Sequence, residues 1–162
     1  MSHLPGRPLV VLTGGEPFRQ NITRLVMALI EEGFSVQIET NGTLSIPEPL
    51  IHLPEAVLTI VVSPKTTKVH FTTLERANAW KYVVKNGDMG ANGFPNKALG
   101  HSNAGTLATP ERSFHNRGRI YMQPCDEGNA AANQRNMDEC VNACMTFGHT
   151  LQLQVHKIIG VE

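Results

Sequence analysis

Apolar positions along this chain switch repeatedly between a short-strand pattern and a helical one. Residues 9–12 (Leu-Val-Val-Leu) form an unbroken apolar run that meets Gly14, Gly15 and Pro17, the pattern of a buried strand in a parallel sheet. Ile22, Leu25, Val26, Leu29 and Ile30 then fall at i, i+3, i+4, i+7 and i+8, which predicts a helix reaching about Glu32 with Gly33 as its cap. Residues 34–40 alternate apolar and polar, residues 58–62 are rich in β-branched side chains, and 80–84 and 118–124 repeat the strand signal. Residues 151–156 alternate as a last strand.

The intervening segments supply helices. Pro47, Pro49 and Pro54 restrict 43–56 to a short broken helix or a loop. Thr73 is placed to cap a helix over 73–81, with Leu74, Ala77 and Trp80 on one face. Residues 130–147 predict a long helix with Ala132, Met137, Cys140, Val141 and Cys144 near one stripe, closed by Gly148. A repeated strand–helix rhythm argues for an α/β fold, either a parallel sheet or an incomplete (β/α) barrel with mostly parallel strands. Residues 1–8 read as a Pro/Gly-rich lead-in to one domain over 9–162. Residues 86–118 are Gly- and Asn-rich and almost without apolar periodicity, so they read as a functional lid or a partly disordered insertion. Within them, residues 109–112 are a candidate short helix, and His101 and His115 read as solvated.

Polar residues collect where the strands should end. Thr13, Gly14, Gly15, Glu16 and Pro17 follow the first strand, Glu39, Thr40, Asn41 and Gly42 the second, and Ser63, Pro64 and Lys65 the third. Gln123, Pro124, Cys125 and Asp126 follow the fifth. The carboxyl edge of a parallel sheet is where α/β proteins bind ligands. Paired glycines let backbone approach a ligand, and Glu16 offers a carboxylate to an ammonium. The bland alternatives are a βα turn with an acid facing a helix dipole, an Asn-Gly turn at Asn41 and a solvated Lys65. Trp80 and Tyr82 flank only the single Lys81, without a run of interleaved basic residues, and read as core rather than as a stacking platform.

The run Thr13-Gly14-Gly15-Glu16-Pro17 resembles the GGEP motif of radical S-adenosylmethionine (SAM) enzymes. With Gln20, Glu39-Thr40-Asn41-Gly42, Ser63-Pro64-Lys65, Lys81-Tyr82-Val83-Val84, Tyr121-Met122-Gln123-Pro124 and His156-Lys157 in order, the chain is similar, from about Leu9 onward, to the 7-carboxy-7-deazaguanine synthase family. That resemblance implies a radical SAM-like incomplete barrel. It also implies a SAM pocket bordered by Gly14, Gly15, Glu16, Glu39, Asn41, Ser63, Pro64, Lys65, Gln123, Pro124, Cys125 and Asp126, and substrate contact at Thr13. The family's cofactors are SAM, a [4Fe–4S] cluster and Mg²⁺. Its substrate is a pterin-like small molecule, its reaction the ring contraction of 6-carboxytetrahydropterin, and its usual state a homodimer.

The family's cysteine triplet lies on the loop after its first strand, N-terminal to GGEP. The eight residues before Leu9 hold no cysteine, so the expectation is a fold lacking the N-terminal βα unit and its cluster and magnesium ligands, and a chain inactive by itself. Cys140 and Cys144, at i,i+4, pack more naturally as small apolar residues than as metal ligands. A degenerate, non-catalytic SAM- or nucleotide-binding protein is the alternative, and an unrelated α/β domain with accidental matches a third. The 14 basic and 14 acidic residues give a net charge of +0, which offers no electrostatic case for nucleic acid. No apolar run approaches the roughly 20 residues of a membrane span. Three cysteines without a dense pattern suggest a reducing cytoplasm.

Overall fold

The computed structural model describes residues 6–98, 106–110 and 119–160. Six strands form one sheet in sequence order: β1 (Leu9–Leu12), β2 (Ser35–Thr40), β3 (Leu58–Val62), β4 (Ala79–Val84), β5 (Arg119–Pro124) and β6 (Thr150–Leu151). Every neighbouring pair is parallel. Sequential order is that of a (β/α) barrel rather than a doubly wound sheet, and β1 and β6 are edges, so the barrel is incomplete.

The strands carry their core on one face. Val36, Ile38, Leu58, Ile60, Val62, Trp80, Tyr82, Val84 and Met122 are all buried to within 1% of complete burial. Helices α1 (Thr23–Glu31), α2 (Glu48–Ile51), α3 (Phe71–Arg76) and α4 (Ala130–Phe147) cross between strands. Val26 of α1, Leu50 of α2 and Cys140 of α4 enter this same core. Each fully buried aliphatic or aromatic side chain contributes about 1.5–3 kcal/mol relative to exposure, so the helix-covered face holds the sheet together. The opposite face carries Gln37, Glu39, Thr59, Lys81, Val83, Tyr121 and Gln123 at the alternate positions. Leu9 and Val11 on the β1 edge are 57% and 44% exposed.

Three helix and strand expectations are corrected. Helix α3 starts two residues before Thr73: the His70 ring nitrogen accepts from Thr72 N–H at 3.3 Å and is the N-cap. Thr73 is fully buried inside the helix, its hydroxyl donating to the Gly42 carbonyl at 3.4 Å. The helix stops at Arg76 because Ala77 turns to extended backbone, which frees Ala79 to Lys81 for β4. The last strand is two residues long, and Val155–Ile159 forms a short helix, α5. Thr150 and Leu151 pair in register with β5, Gln152 N–H still donates to the Met122 carbonyl at 2.9 Å, and past it the chain leaves the sheet and turns into α5. On α4 the buried positions are Asn136, Cys140 and Ala143, with Val141 only partly buried. The stripe is turned because Asn136 satisfies its amide inside the protein.

The described parts of 86–118 pack on the core. Phe94, Ala98, Leu107 and Ala108 are buried, and the Tyr82 hydroxyl donates to the Ala108 carbonyl at 2.7 Å. Burial pushes the Tyr82 phenol far above its ordinary pKa. Scattered apolar residues do this without any period, which is why no pattern signals it. His101, His115, residues 111–112 and residues 1–5 lie outside the described residues, and Thr109 and Pro110, which are described, are not helical.

Candidate ligand pocket at the strand tips

Because all strands run the same way, the loops after β1, β2, β3 and β5 meet at one edge of the sheet. The first of these loops is fixed by Glu16. Its Oε1 accepts from the Thr40 hydroxyl at 2.7 Å and from Phe18 N–H at 3.2 Å, and its Oε2 accepts from Asn41 N–H at 2.8 Å. Glu16 thus caps the turn Pro17–Arg19 and ties the β1 loop to the β2 loop. A carboxylate has about four acceptor sites, so an ammonium would be one more donor to a group already oriented. Gly14 sits at φ 105°, a left-handed backbone that glycine adopts freely. Gly42 is required twice over: its φ is 78°, and a Cβ would come within 2.9 Å of Val69 Cγ1.

A hollow of about 360 Å³ opens at this edge, lined by Thr13, Gly14, Gly15, Glu39, Asn41, Ser63, Lys65 and Gln123, together with Thr40, Lys81 and Val83. Glu16 backs it through Thr40 and Asn41, and Pro64 is buried between Ser63 and Lys65. Two lysines enter. Lys81 Nζ pairs with Glu39 Oε2 at 2.6 Å, and the two side chains are only 14% and 22% exposed. Gln37 Nε2 donates to the other Glu39 oxygen at 3.3 Å, and the Thr13 hydroxyl lies 3.5 Å from Oε2. Lys65 Nζ donates to the Ser63 hydroxyl at 3.4 Å. Its pKa is held below the usual lysine value, chiefly by burial and next by the neighbouring Lys81 charge, with Glu39 pulling the other way.

The remaining candidates, Pro124, Cys125 and Asp126, line a second hollow of about 170 Å³ with Asn133, Met137, Leu153 and Lys157. The two hollows share no lining residue: Gln123 lines the first and the next residue along the chain, Pro124, the second. Asn136 anchors this loop from α4: its amide donates to the Cys125 carbonyl at 2.9 Å and to Glu127 at 3.0 Å, and accepts from Asn86 N–H at 2.8 Å. Lys85 pairs with Glu127 at 2.6 Å. Lys157 pairs with Asp126 and holds its carboxyl well below the usual range, helped by Gly128 N–H and Asn133.

Sequence reasoning did not select Lys81, Thr40 or Val83 for the pocket. The signal for Lys81 was strand parity: Trp80, Tyr82 and Val84 form the core face, so Lys81 and Val83 must point the other way, as Glu39 does. Asn136 carried no signal, since an isolated asparagine in a helix pattern reads as exposed.

The described residues do not fit an iron–sulfur cluster. No three His, Cys, Asp or Glu side chains among them converge on one point. Metal ligation needs thiolate, yet burial pushes the Cys140 thiol up to about 12 and also raises Cys144 and Cys125. Among the described residues no helix is long and apolar enough to cross a membrane.

No family model matches the chain. It is similar to proteins named 7-carboxy-7-deazaguanine synthase: one from Rhodospirillum rubrum at 36% identity, covering 94% of this chain and 65% of that protein. Others are from Rickettsia prowazekii (33%, covering 95% and 59%) and Bordetella pertussis (32%, covering 97% and 61%). The chain therefore spans about three-fifths of the length of these relatives. The crystal structure of QueE from Escherichia coli shares the fold, with a TM-score of 0.59 at 23% identity over 90% of this chain and 56% of that one. A parallel sheet in barrel order and similarity along nearly the whole sequence agree, and this chain is a homologue of the 7-carboxy-7-deazaguanine synthase family, matching part of that family's length.

Proposed function

We propose that this chain is the SAM-cradling portion of a radical SAM enzyme of the 7-carboxy-7-deazaguanine synthase type. Such an enzyme converts 6-carboxytetrahydropterin to 7-carboxy-7-deazaguanine in queuosine and deazapurine biosynthesis. The observation that supports this reading most is the convergence of Gly14, Gly15, Glu39, Asn41, Ser63, Lys65 and Gln123 on one hollow from four separate strand tips.

The residues suit an adenosylated amino acid. Gly14 and Gly15 present bare backbone, and Glu16 supplies the negative charge for an ammonium. Lys65 and Ser63 supply donors at the far wall. The second hollow, with Met137 and Leu153 beside Asn133, offers an apolar slot with polar rims for an adenine ring, between Pro124 and Asp126. Thr13 faces the side from which a pterin-like substrate approaches. Bound SAM would supply the radical chemistry; the residues of this chain bind it, orient it and exclude water around it.

Among the described residues Cys125, Cys140 and Cys144 do not converge with other ligand groups, which supports a chain that by itself binds SAM without turning it over. This observation keeps a second reading alongside the first, a non-catalytic SAM- or nucleotide-binding protein. The open β1 edge and its exposed Leu9 and Val11 support a homodimer, and a cytoplasmic site suits its unpaired cysteines.

Isothermal titration with SAM tests the pocket. Saturable binding by the wild-type chain, weakened about tenfold in Lys65→Ala by loss of a charged donor, is expected. Absence of SAM binding by the wild type overturns the first reading, and absence of binding to both SAM and a nucleotide such as ATP overturns the second as well. Anaerobic iron–sulfide reconstitution is expected to leave the chain without cluster absorbance.

A further inference from the structure

Lys65 and Lys81 approach the strand-tip hollow from neighbouring strands, and one carboxylate, Glu39, serves them both in principle. The structure resolves that competition. Glu39 Oε2 lies 2.6 Å from Lys81 Nζ, while Lys65 reaches only the neutral Ser63 hydroxyl, at 3.4 Å. Lys65 takes part in no ion pair among the described residues. Gln37 Nε2 on the other Glu39 oxygen further fixes the carboxylate on the β2–β4 side.

We propose that Lys81 is a positioning residue: by pairing with Glu39 it keeps that carboxylate off Lys65 and leaves the Lys65 ammonium as the pocket's unpaired cation, ready for a ligand carboxylate. This inference rests on the reading of the hollow as a ligand site. It deepens that reading by assigning a charge-selecting role to Lys81 of β4, which the sequence did not single out for the pocket.

The physical reason is a competition in a shielded place. An ammonium and a carboxylate within a few ångströms attract strongly when both are mostly out of water. Two lysines facing one glutamate leave one positive charge over, and geometry decides which lysine carries it. Lys81, at 14% side-chain exposure and 2.6 Å from Oε2, takes the glutamate. Lys65 is left facing a like charge, which strengthens its preference for an incoming anion. Remove Lys81, and Glu39 loses its partner beside the one ammonium remaining; it then pairs with Lys65 and occupies the place of the ligand's carboxylate. The ligand chemistry is a carboxylate. The amino-acid end of SAM and the carboxyl of a carboxypterin both have it, whereas adenosine does not.

The test is a set of titrations of the whole chain with SAM, with 6-carboxypterin and with adenosine. Lys81→Met is nearly isosteric and removes only the charge. It is expected to weaken binding of SAM, 6-carboxypterin or both by about tenfold or more, leaving adenosine binding unchanged. The arm that weakens identifies which carboxylate Lys65 meets. Adding Glu39→Gln to Lys81→Met is expected to recover most of the loss, because the competing charge is gone, and Lys81→Arg is expected to keep wild-type affinity. A Lys81→Met chain that binds both carboxylates like the wild type, or that loses adenosine equally, overturns the inference.

A second readout needs no ligand. In lysine labelled at the ε-carbon, the Lys65 signal is expected to titrate at higher pH in Lys81→Met than in the wild type. Lys81, on β4, and Glu39, on β2, are the charged groups acting on it, and the substitution removes the first and releases the second. An unmoved Lys65 titration overturns the inference even if SAM binds. A wild-type chain that binds no SAM but shows the shift overturns the functional reading and leaves the pairing standing.

Discussion

The two faces of the sheet are built from the same strands and do opposite work. On the helix-covered face Ile38, Ile60, Trp80, Tyr82 and Met122 are out of water, and their identity is set by volume and apolarity. One residue along, Gln37, Glu39, Lys81 and Gln123 point the other way and reach an ion pair and an open hollow. Moving a strand by one residue would exchange these sets. The register Lys81↔Tyr121 and Glu39↔Val61 is therefore what places the chemistry as well as what seals the core. Stability resides on one face, and the capacity for a ligand on the other.

The sharpest way to break this division is to delete side chains on adjacent residues of β4. Trp80→Ala, from a fully buried position, is expected to cost about 3–5 kcal/mol. Val83→Ala, on the face that lines the hollow, is expected to cost less than about 1 kcal/mol. Urea midpoints of the two variants check this directly. Equal losses would mean that both faces are packed and that the hollow is not open.

Glu16 is where the two functions meet, since it lies behind the hollow but is as buried as the core, at 9% exposure. Glu16→Ala removes a turn cap and two cross-loop acceptors at once, and leaves Thr40, a buried donor, unpaired. A loss of about 2 kcal/mol is expected, together with weaker SAM binding. Glu16→Gln keeps one acceptor and is expected to fall between the wild type and alanine. Full stability in Glu16→Ala would place the β1 loop's order elsewhere.

The sequence showed this division only in part. Runs such as 58–62 and 80–84 mark strands because β-branched and aromatic side chains crowd a helix and suit a pleated surface. The tips then followed from Gly, Pro and Asn. Gly14, Glu39, Asn41, Ser63 and Lys65 were legible as strand-tip polar residues for that reason. What depends on a partner far along the chain was not. Helix α3 is capped by His70, whose ring accepts as a hydroxyl would; Thr73 is spent on the Gly42 carbonyl thirty-one residues away. Leu151, Leu153 and Val155 alternate as a strand does, but Leu153 and Val155 are 37% and 56% exposed and belong to an irregular connection and to α5. Lys81 has its role through Glu39, on a strand forty-two residues earlier.

The smallest effect is at the rim, where the Asp126–Lys157 pair contrasts with the shielded Glu39–Lys81 pair. Lys157 first, then Gly128 N–H and Asn133, hold the Asp126 carboxyl below its ordinary pKa. A depressed carboxyl stabilises the folded arrangement above its unfolded pKa of about 3.9, and that contribution is lost as pH falls below this value toward the folded one. The affected piece is α5, which carries Lys157 and otherwise exposes Val155, Ile158 and Ile159. Amide exchange of Ile158 and Ile159 is expected to quicken as pH drops from about 4 toward the acid end, after correction for intrinsic rates, and added salt is expected to shrink the step because the pair is exposed. Asp126→Asn is expected to abolish it. The same step in Asp126→Asn would show that other contacts dock α5, and that rim and hollow do not differ in the way their ion pairs are screened.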